Sequence, residues 1–475
     1  AIACKITAFG FLIYGIIAVA MACALWRAVV FATIAGLPVL PWLAKNIVQF
    51  HNPVFPLMNR WFPNPFMYPM VEDEMRRITA HVGNVMWPQI PWQATTGGLL
   101  GGIIGPVFLL APIALLSLRR RGGRQALAAF ACVMLPFAGN IGARFLIPAL
   151  PFLGLGMAIA LTHIPRFGSG LAGAVLVAHA LLSWPPWIER WSAHYQWRIE
   201  EIEWRAALRI TPEWEFLRTH WPDYERGLLL DRFVAPGEKV FSPNMGQMAY
   251  QRREVIGTSD SALGRRVFLT YLMPLATPLG STWKRDLHFP EAMTRKIRLV
   301  ATDAQDADMR ISEIRFFKGE LEIPRNSKWR ISASSNPWEA PLAFDNGAVS
   351  FWSSGTKTEP GMWIGVDFGE TVGIDHIILE QNADQRWTSI QPEMPDGEKW
   401  RRERARYVGT ELPPAPDLRM ATRDELRRLG IKWILMPDSQ YGATDVRDHT
   451  AEWGVAQAGM ANDFRLWKLL PAAGD

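Results

Sequence analysis

The residues able to do chemistry fall into two sets, and neither completes an active site by its spacing. In the apolar first part of the chain, Lys45 and Arg144 stand at the ends of apolar runs. A cation there snorkels to lipid headgroups or pairs with an anionic group carried at the membrane surface. His51 and Asn52 open a turn before Pro53. Glu72, Asp73 and Glu74 are the clustered acids of this region, and general-base chemistry would draw on such a carboxylate. Three acids in the first turn of a short helix over 71–81 also suit the helix dipole. In the polar remainder, Asp345, Asn346 and Trp352 offer a carboxylate, an amide and an indole for recognition of a polar ligand. They read more readily as a turn and a core aromatic. The chain has no phosphate-binding P-loop, dinucleotide glycine turn, HExxH or CxxC, so no metal site or cofactor is read and the catalytic residue is unassigned.

The elements around these residues divide sharply. The chain has 475 residues, 49% of them hydrophobic, but residues 1–185 are rich in Leu, Ala, Gly and Phe while 186–475 carry most of the charge. Residues 97–118 hold no charged residue and are followed by Arg119, Arg120, Arg121 and Arg124. Such a run is long enough for a bilayer core, and flanking arginines mark its cytoplasmic end. Further spans are expected over 6–26, 28–43, 125–139, 145–164 and 170–184, with Arg27 and Arg166 also inside. That arrangement leaves 45–95 and the polar half external. The net charge of +5 sits partly in loops flanking spans, where topology accounts for it, so nucleic-acid binding is not expected. Cys4, Cys23 and Cys132 all lie in apolar runs and read as small core hydrophobes. The chain opens inside an apolar run without an initiating Met, which reads as part of a longer polytopic protein.

Two motifs in the apolar half resemble a known family. PWLAKNIVQFHNPVFP, ending at Pro56, and ARFLIPALP, from Ala143 to Pro151, resemble elements of the GT-C membrane glycosyltransferases, including dolichyl-phosphate-mannose protein mannosyltransferases and aminoarabinose transferases. The resemblance covers roughly residues 1–185. It implies transfer of a sugar from a polyprenyl-phosphate donor to an external glycan or lipid acceptor at a bacterial inner membrane. Lys45, His51, Asn52 and Arg144 then become candidate contacts for the lipid phosphate. The family's catalytic acid lies in an early external loop, which places it upstream of this chain.

A second resemblance lies in the polar half. RKIRLVATDAQDADMRISEIRFF and the later segment with Trp352, Ser353, Pro360, Gly361, Trp363, Val366, Asp367 and Gly369 resemble the closing and opening strands of discoidin-like (F5/8 type C) domains, in inverted order. That implies carbohydrate binding around Asp345, Asn346 and Trp352. The expected fold is a polytopic α-helical membrane domain of about six spans, followed by an external α/β domain with an inserted β-sandwich jellyroll. Its parts are a membrane region over 1–186, juxtamembrane helices over 187–227 with an apolar stripe including Tyr195 and Ile199, an α/β domain from 228–287 and 418–470, and a sandwich over 288–394. A rival reading is a non-enzymatic, membrane-anchored carbohydrate-binding or assembly protein. Its spans would serve only to hold the sandwich at the surface.

Overall fold

The computed structural model describes residues 8–79, 85–139, 141–192, 201–244, 246, 249–258 and 260–471. Tyr195 and Ile199 of the expected stripe lie outside them. The chain divides into two units, residues 1–49 with 74–210, and residues 50–73 with 211–475.

The first unit corrects the expectation of six spans. Among the described residues, one helix, Leu25–Phe50, is long and apolar enough to cross a membrane. A second exists only if Gly168–Leu182 and Pro185–Trp191, bent by 87° at their junction, count as one. Two of the other apolar runs are cut by their own glycines and prolines, while Arg121–Gly139 stays one helix with Pro136 inside it. The run over 97–118 holds Gly98, Gly101, Gly102 and Gly105 at positive φ and becomes helical only over Pro106–Arg119, as a 3₁₀ helix with Pro112 inside it. The run over 145–164 is split into Ala143–Leu146 and Leu150–Thr162, at the segment containing Pro148. Apolar length in the sequence counts residues, whereas a span needs unbroken helical rise. The helix Phe9–Ala22 has 14 residues, short of the roughly 20 that a span takes.

The second unit contains two bodies of sheet. Its strands are β1 (Lys239–Phe241), β2 (Glu254–Ile256), β3 (Thr282–Ala301), β4 (Gln305–Ile311), β5 (Glu313–Lys318), β6 (Leu321–Glu322), β7 (Arg330–Ala333), β8 (Trp352–Thr358), β9 (Trp363–Asn382), β10 (Ile390–Asp396), β11 (Lys399–Arg402), β12 (Arg406–Leu412), β13 (Ile431–Pro437), β14 (Val455–Ala461) and β15 (Phe464–Leu469). One sheet runs β14-β15-β13-β1-β2. Within it β1 is parallel to both β2 and β13, with Val240 opposite Trp433 and Phe241 opposite Ile434. Successive side chains of β13 alternate between two cores, as strand geometry requires. Ile434 and Met436 pack with Val267 and Tyr271 of the helix Ala262–Leu272, while Trp433 and Leu435 pack with Leu229 and Leu230 of the helix Pro222–Phe233. Both faces are covered, which explains why 433–436 is an uninterrupted apolar run.

The other body is an antiparallel sandwich. Its large sheet runs β11-β10-β3-β9-β5-β6, with β12 also on β3 and β7 also on β9; β4 and β8 form the small sheet. Leu287, Ile297 and Leu299 of β3 and Ile364, Val366, Ile377 and Leu379 of β9 meet Met309, Ile311 and Trp352 of the small sheet in one core. The twenty-residue β3 and β9 run through the middle, with a register break between His288 and Ala292. Each residue of β3 therefore shows either a core face or an outer face. The functional groups divide between these two faces.

Candidate functional site

The predicted groups scatter, and several are consumed by structure. Lys45 and Arg144 are exposed in the first unit, Arg144 lying with its guanidinium 5.0 Å from the Phe145 ring centre. His51 is exposed, with φ 55°. Asn52 is fully buried. Its Nδ2 donates to Leu57 O at 2.8 Å and Asn59 Oδ1 at 3.1 Å, and its Oδ1 accepts from Val54 N. The residue therefore fixes the proline-rich turn and has no group left to face a phosphate. Glu72 is buried as well, in the helix Pro69–Thr79. Its carboxylate accepts from Met58 N, Asn59 N and Asn59 Nδ2, each at 2.9 Å, so it is a clamp on the loop before it.

The expected sugar contacts are corrected in the same way. Trp352 has no exposed surface and donates Nε1–H to Asn336 O at 3.0 Å. A residue in the middle of the sandwich core offers no face to a sugar. Asp345 Oδ1 accepts from Gly347 N and Ser350 Oγ, closing a turn in which Asn346, at φ 56°, donates its N–H to Glu313 Oε2 at 2.7 Å. Burial pushes the Glu313 carboxyl up to about 7, against the opposing pull of that N–H.

The folded-state value of Glu313 lies above the unfolded one, 4.5, so folding favours the protonated carboxyl. Its contribution is fully present below the unfolded value and is lost as pH rises through about 7. Glu313→Gln removes this dependence. Between about pH 5 and pH 8, urea unfolding should show the wild type losing about 2 kcal/mol relative to the variant. Parallel stability curves for the two proteins over that range would contradict the assignment.

A pocket with free recognition groups lies where the core-side face of β3 is left open beyond the small sheet. Trp283, Arg285 and Leu287 alternate onto this face, and β12 sets Tyr407 opposite Leu287 and Gly409 opposite Arg285. Together with the loop from Arg386 to Gln391 they surround a cavity of about 480 Å³. Gly409 is required: a Cβ there would stand 2.3 Å from Trp283 Cζ2, because the indole lies on the strand backbone. Trp387 and Tyr407 are 70% and 59% exposed, so the Tyr407 ring and the Trp387 face away from Arg386 are open to a ligand. Arg285 is only 5% exposed. Its Nη2 donates to Arg386 O at 3.0 Å, but its Nε–H and the Trp283 Nε1–H are buried without a partner among the described residues. Burial presses the Arg285 pKa below its ordinary value, and the guanidinium nonetheless stays charged. Arg386 stacks over Trp387 at 4.7 Å and lies 3.8 Å from Glu411.

These groups set what a ligand here would have to offer. Two open aromatic faces stack on flat, weakly polar rings, and the unsatisfied groups are all donors. A sugar carrying a carboxylate or phosphate supplies both the ring face and the acceptor oxygens. The alternation of Trp283 with Arg285 is visible in the sequence, but the partners on Trp387 and Tyr407 come from separate segments that only the sheet brings together.

A second cavity, of about 490 Å³, lies between the proline-rich loop and the sandwich, walled by Asn59, Arg60 and Tyr68 on one side and Ser334–Trp338 on the other. Tyr68 donates its hydroxyl to Glu339 Oε2 at 2.6 Å, and burial with the nearby Glu339 raises its pKa well above 10.0. Its ring leaves room only for Gly355, which has φ 65° and would place a Cβ 2.8 Å from Tyr68 Cδ1. The polar groups on this wall are largely engaged with one another, unlike those at Arg285. No protein-family profile matches the chain, and no curated protein or solved structure does.

Proposed function

We propose that the protein is a membrane glycosyltransferase of the polyprenyl-phosphate-dependent class, and that the pocket of Trp283, Arg285, Trp387 and Tyr407 holds an acidic glycan acceptor. The observation that carries the glycan part is the pairing of open aromatic faces with the unsatisfied donors of Trp283 and the buried Arg285. The transfer part rests on the likeness of the segments ending at Pro56 and Pro151 to GT-C elements, with exposed Lys45 and Arg144 as the groups for the carrier phosphate. In this reading the sandwich, similar in sequence to discoidin-like domains, lies on the outer side of a bacterial plasma membrane. The second reading, a membrane-anchored glycan-binding protein without catalysis, is favoured by the single helix of spanning length among the described residues.

Transfer can be measured on membranes containing the full chain, supplied with radiolabelled polyprenyl-phosphate sugar and acidic oligosaccharide. The transferase reading predicts label in the oligosaccharide, with the acceptor requirement raised about tenfold or more by Trp387→Ala. Glycan binding without any transfer assigns the second reading. Absence of both removes the two together.

A further inference from the structure

The outer face of the sandwich carries a group of a different kind. Asp286 and His288 are two residues apart on β3, so both point away from the core that Leu287 enters. On β9, His376 lies directly opposite His288. Phe317 of β5 lies opposite His376 on its other side. The His376 imidazole is stacked between His288, at 4.5 Å, and Phe317, at 4.6 Å. The register break that follows His288 is the kind of irregularity that re-aims a side chain beside a site.

The three side chains converge on one point. His288 Nε2 and His376 Nε2 stand 3.1 Å and 2.7 Å from the same oxygen, Asp286 Oδ1. The shorter contact is not a hydrogen bond: His376 Nε2 and Asp286 Oδ1 are both buried and neither has a hydrogen-bond partner among the described residues. Two polar atoms are thus held face to face, out of water, with no proton aligned between them. Ligand atoms each roughly 2.0–2.2 Å from an ion lie about 3 Å apart at right angles and somewhat farther at the tetrahedral angle, so these two contacts are close to the spacing of adjacent ligands. Each residue offers one ligand atom, and all three atoms lie within 4.8 Å of one another.

We infer that Asp286, His288 and His376 form a binding site for a divalent first-row transition metal ion. Two imidazoles and one carboxylate suit zinc, nickel, cobalt or ferrous iron better than calcium or magnesium, which take all-oxygen sets. Three protein ligands leave coordination positions open, and they face a cavity of about 460 Å³ lined by His288, Phe317, Gly319 and His376. The remaining positions are filled by water or by an exchangeable oxygen ligand. The site lies on the opposite face of β3 from Arg285, so it does not depend on the glycan reading. Sequence motifs could not announce it, because its ligands come from two strands widely separated in the chain.

The test uses the full chain, purified in detergent without an affinity tag and stripped with chelator. Zn²⁺ is titrated by calorimetry, Co²⁺ by visible absorption, and melting is followed with and without Zn²⁺. The expected result is one saturable ion per chain, a Co²⁺ ligand-field spectrum of mixed nitrogen and oxygen coordination, and a higher melting temperature with Zn²⁺. His376→Gln should weaken Zn²⁺ by more than the roughly 10–100-fold that loss of an outer-shell partner costs. His288→Gln should do the same, and its side chain, 57% exposed, is one whose replacement leaves folding intact. Zn²⁺ binding of equal strength in wild type and His288→Gln, or no saturable binding by folded wild type, overturns the assignment.

Discussion

Trp352→Ala should cost the sandwich about 4 kcal/mol, whereas Trp387→Ala should change stability by less than about 0.5 kcal/mol. Trp352 is among the largest fully buried side chains and packs between the β3–β9 face and the small sheet. Removing its indole opens a cavity that the neighbouring strands of a closed sandwich cannot fill, and it deprives Asn336 O of a donor. A loss of that size lowers the melting temperature of a body this large by on the order of 10 °C. Trp387 projects from the loop after β9 with most of its surface in water, so its removal leaves the core unchanged. Thermal unfolding of the two variants separates the roles. Equal destabilisation by both would contradict the assignment of Trp352 to the core and Trp387 to a ligand face.

Glu72→Ala has the next largest expected effect, and it is local. Three donors lose one acceptor: Met58 N, Asn59 N and Asn59 Nδ2. Leaving a buried donor unsatisfied costs about 1–3 kcal/mol; Asn59 N is buried, Met58 N is part-buried and Asn59 Nδ2 keeps Pro56 O, so the loss is on the order of 2–3 kcal/mol. Asn59 is also the hub to which Asn52 and Asn64 donate, and the proline-rich turn should therefore loosen as a unit. Hydrogen exchange reads this directly, as faster exchange at the amides of Met58 and Asn59 with the β3–β9 ladder unchanged. Glu72→Gln keeps carbonyl acceptance and should show an intermediate effect. Slow exchange at both amides in Glu72→Ala would show that the carboxylate is not the clamp.

What the sequence makes legible here are features fixed by local alternation. The apolar run at 433–436 is that of a buried strand because both of its faces pack, Ile434 to one core and Trp433 to the other. The acidic start of the helix near Glu72 is equally visible, but its meaning is not. The helix dipole accounts for acids in a first turn, while Glu72 accepts from two backbone N–H groups and the Asn59 amide of the preceding proline-rich loop. The apolar half misleads for a different reason: hydropathy counts residues, and Gly98, Gly101, Gly102, Gly105 and Pro112 interrupt what the count treats as one span. Tryptophan misleads most. Trp352 and Trp387 are the same residue type in similar polar surroundings, and only the fold decides which enters the core. The pocket around Arg285 and the metal ligands on the other face of β3 both need strand register, which sequence spacing within one segment does not supply.

Recognition of an acidic glycan at the open end of the sandwich, as proposed above, would run through Arg285 and Trp387. Calorimetric titration of the purified full chain with uronate-containing and neutral oligosaccharides of equal length tests it most directly. The expected result is one site that prefers the acidic sugar and is weakened about 10–100-fold by Arg285→Met, the loss of a charge-assisted hydrogen bond. Trp387→Ala should weaken it as well, while Trp338→Ala, in the other cavity, should leave it unchanged. No binding of either sugar by folded protein, or binding lost in Trp338→Ala and kept in Arg285→Met and Trp387→Ala, would contradict it.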